Sequence, residues 1–429
     1  MVKARLPARQ YRLSPDQLWL IGLCASRVGF TLIFMTYAAT LPLLQADWSM
    51  TAGQAGLIHS GFHLGYLISL FGVGFLADRF GAKRVILLAS VAAAVSAFSF
   101  ALFANGFLSG YLLYGATALF SGGSYTPVLT IIAQRFDVSR RGRAMGFYIA
   151  ASSLGYAGSL FLSGLMMEVG GWRAAFYVTG GGPALGAILA FLVLRNTPNV
   201  VPPLSEGEDK GNLWREVLGN KPAMLIICGY TFHSWELLGL RAWIPAFLAA
   251  SLAVTTGDRV RAASLGAAMS ALMYAVSIGG NIMGGSLSDR WGRTAVIMLM
   301  GTLSLICSFT FGWMISSPFW LVVMMGLIYN FTAIGDSPVY STALTELVNP
   351  RFIGAAYSLR SVLGFGTGVI SPVIFGLVLD GMQGGGSSAG MIAWGLAFAS
   401  LGLGGLLGPV AMAWLRSMPE SAKMAGGMR

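Results

Sequence analysis

Long apolar stretches alternate with short polar connections along nearly the whole 429-residue chain. About 20 apolar residues in a helix are enough to cross the roughly 30 Å hydrocarbon core of a bilayer. By this measure the pattern predicts twelve membrane-spanning helices, over residues 18–43, 56–76, 85–104, 108–133, 144–167, 174–194, 223–248, 267–287, 295–315, 319–344, 353–379 and 391–415. Proline inside several spans, as at Pro127, Pro338 and Pro372, predicts local bends.

The composition supports a membrane protein. Hydrophobic residues make up 55% of the chain and charged residues only 10%, which leaves too little polar surface to cover a soluble globule. The three cysteines all fall inside predicted spans, so no disulfide framework and no cysteine-based metal site is expected. We therefore expect the lipid bilayer as a partner and no metal or other cofactor.

The basic residues predict the orientation of the chain. If the N-terminus lies inside, 21 of the 27 lysines and arginines fall in cytoplasmic loops and tails. The others are three in outer loops and three within spans, namely Arg173, Arg259 and Arg261, and Arg27, Arg241 and Arg360. The net charge of +11 therefore indicates topology and not a nucleic-acid partner. We expect both termini in the cytoplasm, and the short loops suit a bacterial inner membrane.

A polar segment with two adjacent prolines divides the spans into six and six. The predicted organisation is a cytoplasmic tail, a first six-helix bundle, a linker, a second bundle and a second tail, over 1–17, 18–194, 195–222, 223–415 and 416–429. The halves are also related in sequence, because several identical residues, including Pro127 and Pro338, recur 211 positions apart. Duplicated halves suit a transporter that alternates between two similar arrangements about a central site.

The clearest repeat is a polar loop between the second and third spans of each half. Its residues in the first half are Gly74, Asp78, Arg79, Gly81 and Arg84, and those in the second half are Gly285, Asp289, Arg290, Gly292 and Arg293. This spacing, found twice between apolar spans, resembles the signature loop of the major facilitator superfamily of membrane transporters. The resemblance implies an all-α integral membrane fold of twelve transmembrane helices in two pseudo-symmetric six-helix bundles.

The resemblance also implies that the loops form a conformational gate. Asp78 should face the start of the eleventh span near residues 352–354, and Asp289 the start of the fifth span near 142–146. A carboxylate at a helix N-terminus contributes about 0.3–2 kcal/mol, enough to bias one conformation without locking it. The fifth span lacks the Gly-Pro motif of the family's drug–proton antiporters, since it reads Leu-Gly-Tyr-Ala-Gly over 154–158.

Ionisable groups within spans are costly in lipid and are therefore candidates for function. We predict that the substrate is bound by residues of the first, second, fourth, seventh and eleventh spans: Arg27, His63, Tyr125, Tyr230, His233, Arg241 and Arg360. Proton coupling is assigned to Glu236 and Asp336, because burial could tune such carboxylates. Arg27, Glu236 and Asp336 lie about 12–20 Å along their helices from the inner end, near the expected midplane.

Other interpretations of these residues remain open. The two acids could instead neutralise span arginines in buried ion pairs that fix the packing. His59 and His63, four residues apart, could bind a metal, but no Asp, Glu or Cys accompanies them on that span, which favours a packing role. Arg360 lies close enough to the inner end of its span to reach cytoplasmic water.

Together these features predict a secondary transporter that works by alternating access, not an enzyme. No nucleotide-binding loop of the Gly-x-x-x-x-Gly-Lys-[Ser/Thr] form occurs, so an ion gradient, expected to be of protons, would drive it. Three span arginines against two acids favour a small organic anion as substrate. The alternative is a proton-driven efflux antiporter for an amphipathic drug or metabolite. We expect a monomer.

Overall fold

The computed structural model describes residues 14–201, 214–349, 352–382 and 386–428. Most of the predicted N-terminal tail and the centre of the predicted linker lie outside these ranges. Within them the chain is helical and contains no strand. The long helices are α1 (Pro15–Asp47), α2 (Ala52–Phe80), α3 (Ala82–Phe103), α4 (Phe107–Arg135), α5 and α6 (together Val138–Leu194), α7 (Lys221–Thr256), α8 (Arg259–Trp291), α9 (Arg293–Met314), α10 (Phe319–Leu347), α11 (Ile353–Gly381) and α12 (Gly386–Ser417).

Eleven helices in the described ranges are long and apolar enough to cross a membrane, and one of them crosses twice. The backbone of Val138–Leu194 leaves the helical region at Gly170 and Gly171, where it separates α5 from α6. Gly171 has a φ of +65°, a conformation that disfavours residues with a Cβ. The prediction of twelve spans is therefore confirmed.

The helices run alternately between two faces of the molecule. We call the face where α1 begins and α12 ends the terminal face, and the opposite one the far face. The α2–α3 and α8–α9 loops, which carry the repeated motif, both lie on the terminal face. Helices α1–α6 form the first half and α7–α12 the second.

Small residues let helices approach closely within each half. A Cβ at Gly29 of α1 would lie 2.8 Å from the carbonyl oxygen of Gly182 in α6. Such contacts suit packing in lipid, where close backbone approach replaces the hydrophobic effect between helices.

The two halves are packed together near the far face. Gly56 of α2 lies against the backbone of Pro372 in α11, and Gly376 of α11 lies against the backbone of Ala52. On the other side of the interface, a Cβ at Gly164 of α5 would lie 2.9 Å from the carbonyl oxygen of Ser264 in α8. The far face is therefore closed along both α2–α11 and α5–α8.

A carboxylate strengthens this closure. Asp380, at the end of α11, accepts hydrogen bonds from the backbone N–H groups of Ala52 and Gly53, at 2.8 and 2.7 Å. These two residues begin α2, so the carboxylate caps a helix N-terminus of the opposite half. We call this contact the far-face clamp.

The same four helices have open space at the terminal face. At Gly74 of α2, Gly146 of α5, Gly285 of α8 and Gly354 of α11, a Cβ would meet no neighbouring atom within 4 Å. Asp78 and Phe80, at the end of α2, are exposed. The structure is thus closed at the far face and open at the terminal face.

Removing the far-face clamp should shift the equilibrium between conformations. Asp380→Ala loses a capping carboxylate, which contributes about 0.3–2 kcal/mol, so the terminal-open state should lose roughly two- to thirtyfold in relative population. Electron paramagnetic resonance distances between spin labels at exposed Asn105 and Ser316, one on the far side of each half, would measure the change. The chain used would have its three native cysteines replaced by alanine.

Asp258→Ala is the matched control. Asp258 also caps a far-face helix N-terminus, but that helix is the adjoining α8 of its own half. It should lower thermal stability without lengthening the distance between the labels. An unchanged distance distribution in Asp380→Ala would show that the clamp does not hold the far face closed.

Candidate functional site

The glycines of the two signature loops are required by backbone geometry. Gly81 and Gly292 have φ values of +86° and +91°. At Gly81 a side chain would also collide with Asn199, whose amide donates a hydrogen bond to the carbonyl oxygen of Phe80 at 2.8 Å. Lys83 also links this loop to the segment that follows α6. Its Nζ donates hydrogen bonds to the carbonyl oxygens of Arg195 and Thr197 at 2.9 and 2.8 Å.

The predicted gate contacts of the two aspartates are absent from this conformation. Asp78 is exposed and has no ion pair among the described residues, so it does not cap α11. Asp289 pairs with Arg293, four residues away, at 2.5 Å, and does not reach the start of α5. Arg293 also binds Glu346 of α10 at 2.8 Å. The reason is the open terminal face, which separates α2 from α11 and α8 from α5.

The other gate residues of the motif lie beside these. Arg79 stacks over the ring of Phe80 at 5.4 Å, and the backbone N–H of Arg84 donates to Asn199 at 3.3 Å. Arg290 ends α8. All the residues of the two signature loops therefore lie at the terminal face.

Helix α4 is interrupted near its middle. Its first part ends at Ser121, and a short 3-10 turn follows over Gly122–Ser124. Tyr125 has non-helical angles of φ −116° and ψ −80°, and the helix resumes at Thr126. The interruption frees the carbonyl oxygen of Ser124 from the usual helical hydrogen bond. Broken helices in membrane proteins often line binding sites, because their free polar groups need partners.

Arg27 of α1 fills this interruption. Its Nε donates to Ser152 Oγ at 2.7 Å, and one terminal nitrogen donates to the hydroxyl and carbonyl oxygens of Ser124 at 3.0 and 3.4 Å. Its guanidinium lies over the rings of Tyr125 and Tyr148, at 5.0 and 5.7 Å. All of these partners are neutral, and Arg27 is only 2% exposed.

Arg360 approaches the same region from the second half. Its guanidinium lies over the rings of Tyr230 and Tyr357, at 4.3 and 4.7 Å, and donates to Ser341 Oγ at 2.5 Å. Tyr125 lies close enough to both Arg27 and Arg360 for direct electrostatic interaction with each. Four predicted binding residues therefore lie together where the halves meet: Arg27, Tyr125, Tyr230 and Arg360.

Arg241 and His63 lie in a separate layer, closer to the far face. Arg241 stacks over the ring of Tyr274 at 5.4 Å, and His63 lies near enough to Arg241 for electrostatic interaction. The His63 ring packs against Gly368 of α11, because a Cβ at that glycine would lie 2.8 Å from the ring. These two residues line the closed part of the interface.

The acids of α7 and α10 face away from the arginines. Asp336 Oδ1 lies 3.0 Å from Nδ1 of His233, whose Nε2 is 2.6 Å from Ser337 Oγ. Glu236 accepts a hydrogen bond from Ser304 of α9 at 2.7 Å. In the described residues neither acid forms an ion pair with a span arginine, so the interpretation that they neutralise these arginines is wrong for this conformation.

These acids enclose a small polar cavity within the second half. It is lined by His233, Glu236, Ser304, Asp336 and Tyr340, with small residues of α9 and α12, and its volume of about 10 Å³ is close to that needed by one water molecule. Tyr230 and Glu236 are six residues apart on α7, so their side chains point about 120° apart around the helix. Tyr230 therefore faces the arginines while Glu236 faces α9. His233 lies between them and contacts Tyr230 and Tyr340 with ring centroids 5.6 and 5.7 Å apart.

The breaks of α4 and α10 occupy equivalent places in the sequence repeat. Asp336 separates the two parts of α10, just as Tyr125 separates the parts of α4 211 positions earlier. The first break holds a cation from α1, and the second holds a histidine from α7 against a carboxylate. The equivalent breaks of the two halves thus hold different polar groups.

Several residues of the site were not among the predicted ones. Ser124, Tyr148 and Ser152 contact Arg27 directly, and Tyr66 and Tyr156 surround it. Tyr148 and Ser152 are four apart and so share one face of α5, which is a signal the sequence does offer. Tyr66 and Tyr156 are neutral, and their place depends on how α2 and α5 are rotated.

The two histidines of α2 are not part of a metal cluster in the described residues, where no group of three His, Cys, Asp or Glu residues could hold an ion. His59 is buried with its ring against Tyr37, at a centroid distance of 4.8 Å.

The family model described as Major Facilitator Superfamily matches residues 23–372, which include the broken helices, the signature loops and all the arginines of the spans. The chain belongs to this superfamily. It is therefore a multi-pass membrane transporter and not an enzyme.

Individual proteins give a consistent result. The chain is 25% identical to a probable sulfoacetate transporter of Cupriavidus necator over 367 residues, which are 79% of this chain and 81% of that one. It is 22% identical to a hexuronate transporter of Bacillus subtilis, over 84% and 87% of the two chains. A bacterial homolog of the human lysosomal transporter Spinster, solved in an inward-facing conformation, superposes with a TM-score of 0.76 at 17% identity, covering 96% of this chain and 98% of that one.

Asp78→Asn should weaken closure of the terminal face and leave the open state unchanged, because Asp78 has no ion pair in the open state. We expect a cysteine placed at Gly354 to be alkylated faster in Asp78→Asn than in the parent, since the closed, protected state becomes rarer. Asp16→Asn is the control, because Asp16 pairs with Arg135 inside the first half, at 2.7 Å. Equal alkylation rates in Asp78→Asn and the parent would remove Asp78 from the gate.

Proposed function

We propose that this transporter moves a small organic anion across the membrane, coupled to protons. The observation that carries the proposal is which groups the three arginines in the spans contact. Arg27, Arg241 and Arg360 contact hydroxyls, carbonyls and aromatic rings, and none forms a salt bridge with a carboxylate among the described residues. A charge in a membrane span is costly without a counter-ion, so the site favours an anion that supplies one.

The relatives support the same class of substrate. The probable sulfoacetate transporter and the hexuronate transporter are both named for small, highly polar organic acids. Neither name fixes the substrate of this chain, but both fit a site whose charged groups are arginines.

The polar cluster in the second half supports coupling to protons. Glu236 is 5% exposed and accepts a hydrogen bond from a serine hydroxyl, while Asp336 is 3% exposed and lies beside a histidine. A carboxylate is a group that can take up and release a proton during transport. His233 gives the cluster a route to the arginine site, because its ring contacts Tyr230, which lies under Arg360.

The terminal face is assigned to the cytoplasm. The basic residues concentrate on that side, as the positive-inside rule requires. The conformation described above is then inward-open. One chain contains both halves of the site, so a monomer is sufficient for transport.

Arg27→Gln should abolish anion transport. Truncating one member of a buried charge pair costs about 2–5 kcal/mol, so apparent affinity should fall by roughly thirtyfold or more. Sulfoacetate and glucuronate would be added to proteoliposomes that contain the purified protein and a pH-sensitive dye, under an imposed pH gradient. The parent should show an anion-dependent proton flux that Arg27→Gln lacks.

Arg173→Gln serves as the control, because Arg173 is exposed at the far face and stacks on Trp172. It should transport like the parent. No response to any anion, together with proton flux on adding an amphipathic cation such as ethidium, would replace the anion hypothesis with the efflux alternative.

Glu236→Gln should separate anion movement from proton movement. The amide keeps the size of the side chain but cannot carry a proton on and off, so net uptake driven by a pH gradient should fall at least about tenfold. Exchange of labelled for unlabelled anion at equal pH should continue. Glu168→Gln, at an exposed site on α5, is the control. Full pH-driven uptake in Glu236→Gln would assign coupling to another group.

A further inference from the structure

Two arginines from opposite halves converge on one tyrosine. Arg27 reaches Tyr125 from α1, with its guanidinium 5.0 Å from the ring centroid, and Arg360 of α11 interacts electrostatically with the same tyrosine. Tyr230 lies under Arg360 at 4.3 Å and is itself close to Tyr125. The order across the interface is therefore arginine, tyrosine, tyrosine, arginine.

Neither arginine is neutralised by the residues that hold it. Arg27 is fixed by two serines and two tyrosine rings. Arg360 donates from one terminal nitrogen to Ser341, and its Nε is buried and has no hydrogen-bond partner among the described residues. A buried donor without a partner is unusual and costs free energy in the empty protein. Among the described residues both arginines thus lack a counter-ion, and Arg360 also lacks one hydrogen-bond acceptor.

We propose that the transporter is selective for small dianions, with one acid group bound by Arg27 of the first half and the other by Arg360 of the second. This inference rests on the proposed anion transport and adds the number and placement of the charges. A guanidinium presents a planar fork that matches one carboxylate or sulfonate. A monoanion would occupy one fork and leave the other arginine without a counter-ion.

The placement also links binding to the conformational change. Arg360 lies about 10 Å along α11 from the terminal face, where the halves stand apart. Closing that face brings the second half towards the first, so an anion held at both ends favours the closed state over the open one. A monoanion bound to one half has no such preference.

Matched pairs of ligands test the number of charges. Succinate, glutarate and adipate would be compared with their half-amides, which keep the length and lose one charge, by isothermal titration calorimetry on the purified protein in nanodiscs. We expect at least one dicarboxylate to bind about tenfold or more tightly than its half-amide, with an optimum of chain length.

Variants then assign the second charge. Arg360→Gln should bring dicarboxylate affinity down to that of the half-amide, and leave the half-amide within about twofold, since its single acid group can use Arg27. Arg360→Lys keeps a charge and should retain part of the preference, which guards against a merely misfolded Gln variant. Arg241→Gln removes a span charge from the other layer and should leave the ratio of the two affinities unchanged.

Equal binding of dicarboxylates and half-amides, or an equal loss of both in Arg360→Gln, would overturn the dianion proposal and leave anion transport standing. Absence of binding and transport for every mono- and dianion tested would overturn both proposals.

Discussion

The structure depends on one electrostatic constraint, which is that charges buried in a membrane protein need partners. Among the described residues, the acids and the arginines of the spans do not pair with each other, and each set has its own partners. Asp336 lies beside His233 and Glu236 beside Ser304, inside the second half, while the arginines rest on hydroxyls and aromatic rings where the halves meet. This separation leaves the span arginines without a carboxylate partner among the described residues, which is the basis of the proposed anion site.

The duplicated architecture gives the two halves different tasks. Both α4 and α10 break at equivalent positions, and each break presents free polar groups to the first helix of its own half. In the first half that helix supplies Arg27, and in the second it supplies His233. In the proposed function the first half binds the anion and the second exchanges the proton. The far-face clamp joins them, because Asp380 of one half caps α2 of the other.

The sequence predicts the twelve spans, the repeat and the family, because hydrophobic length and a motif found twice are properties of the chain itself. It also singles out Arg27, Tyr125, Tyr230 and Arg360 as candidates, since charges and tyrosines in spans stand out, and the structure places these four together. The gate contacts of Asp78 and Asp289 were wrong for this conformation, because a sequence does not specify which of two states is populated. The direction of Glu236 and the role of Asp380 were missed, because both depend on how helices are rotated and paired in space.

The most direct test of the central claim is to locate a bound dianion. Crystals grown with 2,3-dibromosuccinate would give bromine peaks in an anomalous difference map. The account predicts a pair of peaks beside Tyr125, between the guanidinium groups of Arg27 and Arg360. Peaks beside Glu236 and His233, or in the Arg241 layer alone, would contradict the claim that the unneutralised arginines at the breaks form the substrate site.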